Sequence, residues 1–458
     1  MERKNCIWLV LGAFVLVRAY IFLTTYHLPG WDESVYLAMG KYFWSAGRIG
    51  LFELLRPPAL PFLLGFFWRI GMPYIFAADM VIAFFALATI YLTYLVAKEL
   101  YSVRVAVFAA ALLALTPIFF QQSLMVLTEI PSACLGMLAL YLFIKKSYFM
   151  SGVAVAFGFL MRYHMGLMLP VIGLVILLGK NDIVPKLIRL GLGFGVIMLP
   201  MLCANLVFFG NPLVPYIVAS GYQFNSVYGV GGFLANLLFY FGELIKSNIL
   251  YILLIPAFLC MARKRWKKEL VVPALLFYFY LTFVQNKQLR FVLVVLPVFA
   301  ILSAYGIECL MKTRWQIKAL LVLLVVIGVA QGYTINRVYV SVLPREVPEA
   351  IETFKQYLFD KEPGKTVLTM NPLPAAFVDV KFITNYDSFE EMVEIYNRDY
   401  AHVDAIVVSA EAIVCPDEWC ENAKAAILHK MRYGSKFVCG IDYWFTHLEI
   451  YYPSGLHE

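Results

Sequence analysis

The chain has 458 residues, of which 62% are hydrophobic and only 15% are charged, and its formal net charge is +7. A soluble domain cannot bury so large an apolar fraction, so the composition excludes an ordinary globular protein. Most basic residues of the apolar region fall in short loops, where they orient membrane helices. We therefore expect no nucleic-acid partner.

Apolar segments follow one another along residues 1–335. The first, residues 7–26, can cross about 30 Å of hydrocarbon. No small-residue cleavage site follows it, which argues against a cleavable signal peptide. Ten further spans are predicted at residues 74–97, 104–121, 130–145, 148–162, 165–179, 187–209, 248–262, 270–285, 291–311 and 317–335.

The segment 59–72 fits either a span or a helix in the plane of the headgroups, because it is short and contains Arg69. The loop charges favour the second alternative. With the N-terminus inside and this segment not crossing, 17 lysines and arginines lie inside and 8 lie outside. This bias would be lost if the segment crossed, since every later loop would change side. The expectation is eleven spans, or twelve if 59–72 crosses, and an outer C-terminal tail.

The long outer segment 211–247 is rich in aromatic residues and glycine. It fits a mobile flap over a cavity or an aromatic belt at the membrane surface. Both alternatives stay open at this point.

The tail, residues 336–458, predicts a small extracytoplasmic α/β domain after a transmembrane domain of residues 1–335. Strands are predicted at 366–370, 405–409, 436–441 and 448–452, and amphipathic helices at 346–359, 389–400 and 421–433. No nucleotide-binding motif occurs there, so we expect recognition or stabilisation rather than chemistry. Cys415 and Cys420 could form a disulfide outside the cytoplasm, but their spacing alone does not decide it.

The adjacent acids Asp32 and Glu33 are the most informative polar residues. They follow the first span, in the first outer loop of residues 27–73. Two carboxylates at a membrane boundary are costly to dehydrate, which indicates a polar reaction centre. The alternative is structural, with Asp32 capping a helix that begins at Ser34. The predicted topology places five further candidates on the same outer side, together with Arg56: Glu129, Arg162, His164, Lys287 and Arg290.

Four stretches resemble the GT-C superfamily of membrane glycosyltransferases, and most closely the branch of protein O-mannosyltransferases and lipid A aminoarabinose transferases. They are Arg18 with residues 31–40 (WDESVYLAMG), residues 56–60 (RPPAL), residues 161–170 (MRYHMGLMLP), and residues 287–291 (KQLRF) with Pro297. The second stretch is similar to the family's His-Pro-Pro-Leu segment but has Arg56 in place of the histidine. The implied fold is a polytopic α-helical membrane protein, GT-C-like, with about 11–12 transmembrane helices and a small C-terminal extracytoplasmic α/β domain.

The resemblance implies an inverting glycosyltransferase of the plasma membrane. Its donor is a hexose or pentose on dolichyl or undecaprenyl phosphate, and its acceptor is a protein, lipid or glycan at the outer face. Such a transfer needs a base for the acceptor hydroxyl, and a carboxylate can serve. The family motif places this base at Asp32 or Glu33. Asp32 is preferred because it takes the first acidic position, which leaves Glu33 as a ligand or supporting group.

The transfer also needs cations beside the departing phosphate. The resemblance places these at Arg290 and Lys287, with Arg56 and Arg162 as further candidates, although loop arginines also extend to lipid headgroups. The resemblance implies that Glu129 binds the acceptor or a metal ion; the alternative is an acid that only stabilises the start of a helix. His164 could bind the same acceptor or metal ion, or be an ordinary buried polar group.

A divalent metal ion is compatible with these Asp, Glu and His residues, although no spacing demands one. The competing function is a transporter or flippase of lipid-linked sugars. A transporter typically shows paired repeats and polar sites near the membrane centre. No clear repeat is present here, and the acids lie at the outer boundary, so the enzyme is favoured.

Overall fold

The structure, a computed structural model, describes residues 6–25, 27–179, 181–224, 233–263, 267–284, 287–311, 315–341, 349–384, 402–409, 418–433, 435–443 and 446–453. The chain divides into two compact units. The first unit comprises residues 1–24, 54–59 and 79–343. The second unit comprises residues 25–53, 60–78 and 344–458, so most of the first outer loop belongs with the C-terminal residues.

The helices carry the predicted spans. Up to residue 177 they are α1 (Cys6–Thr24), α2 (Trp31–Trp44), α3 (Ala59–Arg69), α4 (Tyr74–Leu100), α5 (Val103–Leu115), α6 (Pro117–Gln122), α7 (Glu129–Ile144), α8 (Tyr148–Met161) and α9 (Met168–Leu177). The later ones are α10 (Ile183–Phe209), α11 (Val214–Phe224), α12 (Phe233–Ser247), α13 (Leu254–Arg263), α14 (Lys268–Phe283), α15 (Leu296–Leu310), α16 (Trp315–Ser341), α17 (Glu349–Tyr357), α18 (Leu373–Phe377) and α19 (Glu418–Tyr433). Short 3-10 turns precede three of them, at Tyr163–Leu167, Ile249–Leu253 and Leu289–Val294.

Every predicted span coincides with a helix, although the predicted span 104–121 is divided between α5 and α6. The division occurs because Pro117 lacks an N–H and starts a new helix at its first position. The Ser102 hydroxyl accepts a hydrogen bond from the Val105 N–H and so begins α5.

Within the described residues, four helical segments are long and apolar enough to cross a membrane, judged by length and composition: Cys6–Thr24, Tyr74–Leu100, Ile183–Phe209 and Ile317–Val340. Large apolar side chains on these helices are exposed, for example Leu23 at 81% and Val207 at 80%. Water would disfavour such surfaces, whereas lipid tails would cover them.

Helix α3 has 11 residues and is about 16 Å long at the helical rise. This length favours the in-plane alternative for 59–72.

Close helix contacts in the first unit depend on small residues. Gly152 and Gly193 lie where α8 meets α10, and a Cβ atom on Gly193 would overlap the Phe149 carbonyl oxygen.

The segment 211–247 is not an open loop in its described parts, because it contains α11 and α12.

The second unit contains a five-stranded sheet in the order β2-β1-β3-β5-β4, formed by β1 (Thr366–Thr369), β2 (Lys381–Thr384), β3 (Ala405–Val408), β4 (Ser435–Tyr443) and β5 (Thr446–Pro453). The strands β2, β1 and β3 are parallel, whereas β5 is antiparallel to both β3 and β4. The four predicted strands and two of the three predicted helices are present. The predicted helix 389–400 and the Cys415–Cys420 pair lie outside the described residues.

The core of the second unit combines residues that are distant in sequence. The first-loop side chains Leu28, Val35 and Met39 pack in one buried cluster with Phe354 and Val380. Gly50 also bonds to the C-terminal chain, since its N–H donates to the Val380 oxygen at 2.8 Å. Residues 25–53 and 60–78 therefore fold as part of the C-terminal α/β unit.

Candidate active site

In the second unit, the acidic pair lies at the start of α2. Trp31 is the first helical residue and Gly30 is the N-cap. The Gly30 N–H donates to Glu33 Oε2 at 2.7 Å, and Glu33 Oε1 lies 2.8 Å from His27 Nε2. The Glu33 side chain is only 2% exposed. Glu33 therefore reaches back to close the helix N-terminus, as the acid of a capping box does.

Asp32 occupies the preceding position of the same turn and is partly exposed. The structural alternative for Asp32 is wrong in two details. The helix begins three residues before Ser34, and the carboxylate bonded to the N-cap amide belongs to Glu33. The N-terminal end of the helix dipole favours a negative charge at Asp32.

In the first unit, three predicted residues meet around one carboxylate. Glu129 begins α7 and its side chain is 2% exposed. Arg162 Nη1 lies 2.8 Å from Glu129 Oε1, and Arg290 Nε lies 3.4 Å from the same oxygen. The structure thus brings together an acid and two cations that are far apart in the sequence.

Further contacts fix Arg162 in this cluster. Its Nη1 donates to the Thr128 hydroxyl at 3.0 Å, and its Nε donates to His164 Nε2 at 2.8 Å. The guanidinium also lies over the Phe291 ring, 4.9 Å from the ring centre. Burial and the nearby Arg162 charge lower the pKa of His164 well below its ordinary value. His164 is therefore a neutral acceptor that orients Arg162.

The charge balance of this cluster is positive, because two guanidinium groups surround one carboxylate and His164 is neutral. The Arg290 side chain is 23% exposed, compared with 11% for Arg162. Arginine fits phosphate oxygens well, since it can offer two parallel N–H donors. The cluster has the charge and the donors that an anionic phosphate requires.

Lys287 lies after α14 and bonds to its last turn. Its ammonium donates to the Leu281 oxygen at 2.7 Å and to the Thr282 oxygen at 2.9 Å. It also lies 5.7 Å from the centre of the Tyr240 ring. Burial lowers the pKa of Lys287 to about 8. Two of its three N–H groups thus donate to carbonyl oxygens at the end of α14. A neutral lysine side chain has two N–H groups and could make the same two hydrogen bonds.

Arg56 is near the same region of the first unit through its backbone. The Tyr163 hydroxyl donates to the Arg56 carbonyl oxygen at 3.3 Å, and Tyr163 directly follows Arg162. Tyr163 also packs against Tyr216 of α11, with ring centres 5.1 Å apart. Residue 56 is therefore adjacent to the segment that holds the Arg162 cluster.

The surroundings of Glu129, His164 and Glu33 do not fit a divalent metal ion. Two guanidinium groups flank Glu129 and would repel a cation, and the His164 nitrogen that could ligate accepts from Arg162. Glu33 is engaged by His27 and the Gly30 amide. Over the described part of the chain, no group of three or more His, Cys, Asp or Glu side chains is arranged to hold a metal. No catalytic step is therefore assigned to a metal.

Sequence reasoning missed two participants. His27 was not considered, because its position six residues before Glu33 matches no helical spacing. Phe291 was part of a family-like stretch but had no expected function, although its ring lies beside both guanidinium groups. An aromatic residue next to a loop arginine could have suggested a cation–π contact.

Residues 55–208 match the family model described as dolichyl-phosphate-mannose-protein mannosyltransferase, which is less than half of the chain. ArnT from Cupriavidus metallidurans, solved with undecaprenyl phosphate, matches with a TM-score of 0.69 over 98% of each chain, at 13% identity. The archaeal oligosaccharyltransferase AglB from Archaeoglobus fulgidus, solved with an inhibitory peptide and a dolichol-phosphate, matches with a TM-score of 0.61. That match covers 99% of this chain and 75% of AglB, at 13% identity. No curated protein sequence matches significantly.

At such low identities the likeness shows the fold. The chain has the GT-C fold, as the four sequence stretches predicted. Its fold is that of a polytopic α-helical membrane protein with a small C-terminal sheet domain.

Proposed function

We propose that the protein is a glycosyltransferase that takes a sugar from a polyprenyl phosphate and transfers it to a hydroxyl acceptor. The observation that carries this proposal is the Glu129–Arg162–Arg290 cluster, a buried site with surplus positive charge. A departing polyprenyl phosphate gains negative charge at the bond that breaks, so fixed cations lower the barrier. The GT-C fold and the mannosyltransferase family model support the same activity.

In this proposal Asp32 is the general base. The acceptor oxygen attacks the anomeric carbon from the face opposite the phosphate, and its proton passes to the Asp32 carboxylate. The bond between the anomeric carbon and the phosphate oxygen breaks, and the polyprenyl phosphate leaves with the electron pair. Glu33 contributes through the helix N-terminus that it closes. The anomeric configuration inverts because attack and departure occur on opposite faces.

The two arginines divide the phosphate contacts in this proposal. Arg290 binds the phosphate directly, because it is the more exposed of the two and lies farther from Glu129. Arg162 adds charge from a position fixed by Thr128, His164 and Phe291. Glu129 orients both guanidinium groups. Lys287 and Arg56 are further phosphate contacts, with the third Lys287 N–H as the donor.

We further propose that the protein lies in the plasma membrane with its C-terminal unit outside the cytoplasm. The donor carries a hexose or a pentose, and the acceptor is a protein, lipid or glycan. ArnT bound to undecaprenyl phosphate and AglB solved with dolichol-phosphate support a polyprenyl-phosphate donor.

The test is a transfer assay with the purified full-length protein in nanodiscs. Undecaprenyl- and dolichyl-phosphate sugars labelled in the hexose or pentose are supplied together with a protein, lipid or glycan acceptor, and release of the polyprenyl phosphate and labelling of the acceptor are followed by mass spectrometry. Nucleotide sugars serve as the control donors. We expect release from the lipid-linked donors only. Movement of intact lipid-linked sugar across a liposome membrane, without cleavage of the sugar–phosphate bond, would contradict the proposal and indicate a flippase.

A further inference from the structure

Lys41 is a buried cation on the helix that carries Asp32. It lies nine residues after Asp32 in α2, and its side chain is only 2% exposed. Its ammonium lies 2.9 Å from Asp379 Oδ1. It also donates to the Ala375 oxygen at 3.1 Å and to the Val378 oxygen at 3.2 Å. All of these residues belong to the second unit.

These contacts occupy the whole ammonium. A lysine has three N–H donors, and here three acceptors receive them. Ala375 and Val378 lie in and just after the short helix α18, whose last carbonyls have no partners within the helix. Lys41 therefore has no donor left for a substrate phosphate, and its function is to join α2 to α18.

Asp379 connects a third element to the same point. The indole N–H of Trp68, on α3, lies 3.3 Å from each Asp379 carboxylate oxygen. The Asp379 backbone N–H donates to Asp360 Oδ1 at 2.9 Å. One carboxylate thus links α2, α3 and the C-terminal chain. Removing either charge of the pair would leave the other buried and uncompensated, which is strongly unfavourable.

The surrounding packing leaves α2 little freedom. Gly40 and Gly65 lie where α2 meets α3, and a Cβ atom on Gly65 would overlap the Gly40 carbonyl oxygen. The Tyr74 hydroxyl donates to the Leu37 oxygen at 2.8 Å. The Phe382 N–H donates to the Gly50 oxygen at 2.9 Å, which adds residue 50 to the sheet beside β2.

We propose that the Lys41–Asp379 pair is a positioning device that sets the orientation of α2 and thereby the place of the Asp32 carboxylate. The C-terminal residues that pack on α2 then help to fix the proposed base within the second unit. This inference rests on the proposed function, since Asp32 is the base there. Lys41 and Asp379 are positioning residues, because they act through α2 and touch no reacting atom.

A positioning function predicts a specific kinetic signature. A misplacement of about 1 Å at a catalytic group can cost about 10²-fold in rate. We therefore expect Lys41→Met and Asp379→Asn to lower kcat about 10- to 100-fold. The donor KM should change by less than about 3-fold, because the proposed phosphate contacts are first-unit residues. The double variant should be no slower than the slower single variant, since both changes break one interaction.

The experiment compares Lys41→Met, Asp379→Asn and Trp68→Phe with a matched control, Lys365→Met. Lys365 also pairs with an aspartate in the second unit, with Nζ 3.0 Å from Asp404 Oδ1. This pair contains no first-loop residue, so its loss should leave kcat unchanged. Hydrogen exchange of the peptide covering residues 27–45 gives a readout that needs no activity. We expect faster exchange at this peptide in Lys41→Met and Asp379→Asn, and wild-type exchange in Lys365→Met.

Wild-type kcat with wild-type exchange in folded Lys41→Met or Asp379→Asn would overturn the inference. If both of these variants fail to fold, the Trp68→Phe variant tests the inference instead. It removes one hydrogen bond to Asp379 and no charge, and wild-type exchange and kcat in that variant would also overturn the inference. Asp32→Asn is measured in parallel. An active Asp32→Asn would refute the proposed base, whereas the exchange measurement would still test the positioning of α2.

Discussion

Glu33 Oε1 lies 2.8 Å from His27 Nε2, while Glu33 Oε2 accepts a hydrogen bond from the Gly30 N–H at 2.7 Å. These two contacts separate the functions of two adjacent acids. Glu33 is a buried structural carboxylate that closes the N-terminus of α2. Asp32, one position earlier, is partly exposed, and in the proposed mechanism it is the member of the pair that meets the substrate.

The Glu33 assignment predicts a loss of stability. Replacing a capping acid costs about 1 kcal/mol, and leaving buried partners unsatisfied adds about 1–3 kcal/mol. We expect Glu33→Ala to lower the free energy of unfolding by about 2 kcal/mol or more, measured by denaturant titration in detergent. Asp32→Asn, the matched control, should stay within about 1 kcal/mol of wild type, because Asp32 is partly exposed and the amide keeps the size of the side chain. Equal destabilisation by both variants would show that both acids are structural.

Arg290 should be the most sensitive cation of the first-unit cluster. Arg290→Met removes the proposed phosphate donors, and we expect kcat to fall about 10²- to 10³-fold. Lys246→Met is the control, because Lys246 is exposed and pairs with Glu243 three residues away on the same helix. Steady-state kinetics with the lipid-linked donor gives the measurement. A wild-type rate in Arg290→Met would remove this residue from the mechanism.

In the proposed mechanism Glu129 orients Arg162 and Arg290 and binds no metal ion. We expect Glu129→Gln to lower kcat about 10-fold, since the amide keeps an acceptor oxygen but loses the charge. We also expect a chelator to leave the wild-type rate unchanged, and added magnesium or manganese to leave the chelated enzyme unchanged. A rate that falls with chelation and returns with one of these metals would contradict the orienting function.

Lys287 offers a test through pH. Burial lowers its pKa to about 8, so the ammonium loses its charge as the pH rises through that value. If the charge helps to bind the phosphate, the donor KM should rise between about pH 7 and pH 9. Lys287→Arg should abolish this rise, because arginine stays protonated. Lys287→Met should show the high KM at every pH. Identical profiles for all three proteins would leave Lys287 as a helix cap only.

The four longest helical segments were predictable because each is a long apolar run. Thus Cys6–Thr24 and Tyr74–Leu100 follow the predicted spans 7–26 and 74–97 closely. Strand β2 was missed because Phe382 is its one buried residue, whereas the equally short strands β1 and β3 are mostly buried.

The arrangement of the first loop could not be predicted from local pattern. Lys41 counted as one of the outer-loop cations, yet it is buried against Asp379, more than 300 residues away. A single sequence carries no signal for such a partner. The same limit applies to Glu129, Arg162 and Arg290, which the predicted topology placed on one side of the membrane without predicting that they contact one another.

The most direct test of the account is the transfer rate of Asp32→Asn, measured with the lipid-linked donor and compared with Asp32→Glu. Loss of a general base typically costs about 10²- to 10⁴-fold, so we expect Asp32→Asn to fall by at least about 10²-fold with little change in donor KM. Asp32→Glu keeps a carboxylate and should retain part of the activity. A folded Asp32→Asn protein that transfers sugar at the wild-type rate would contradict the assignment of Asp32 as the catalytic base.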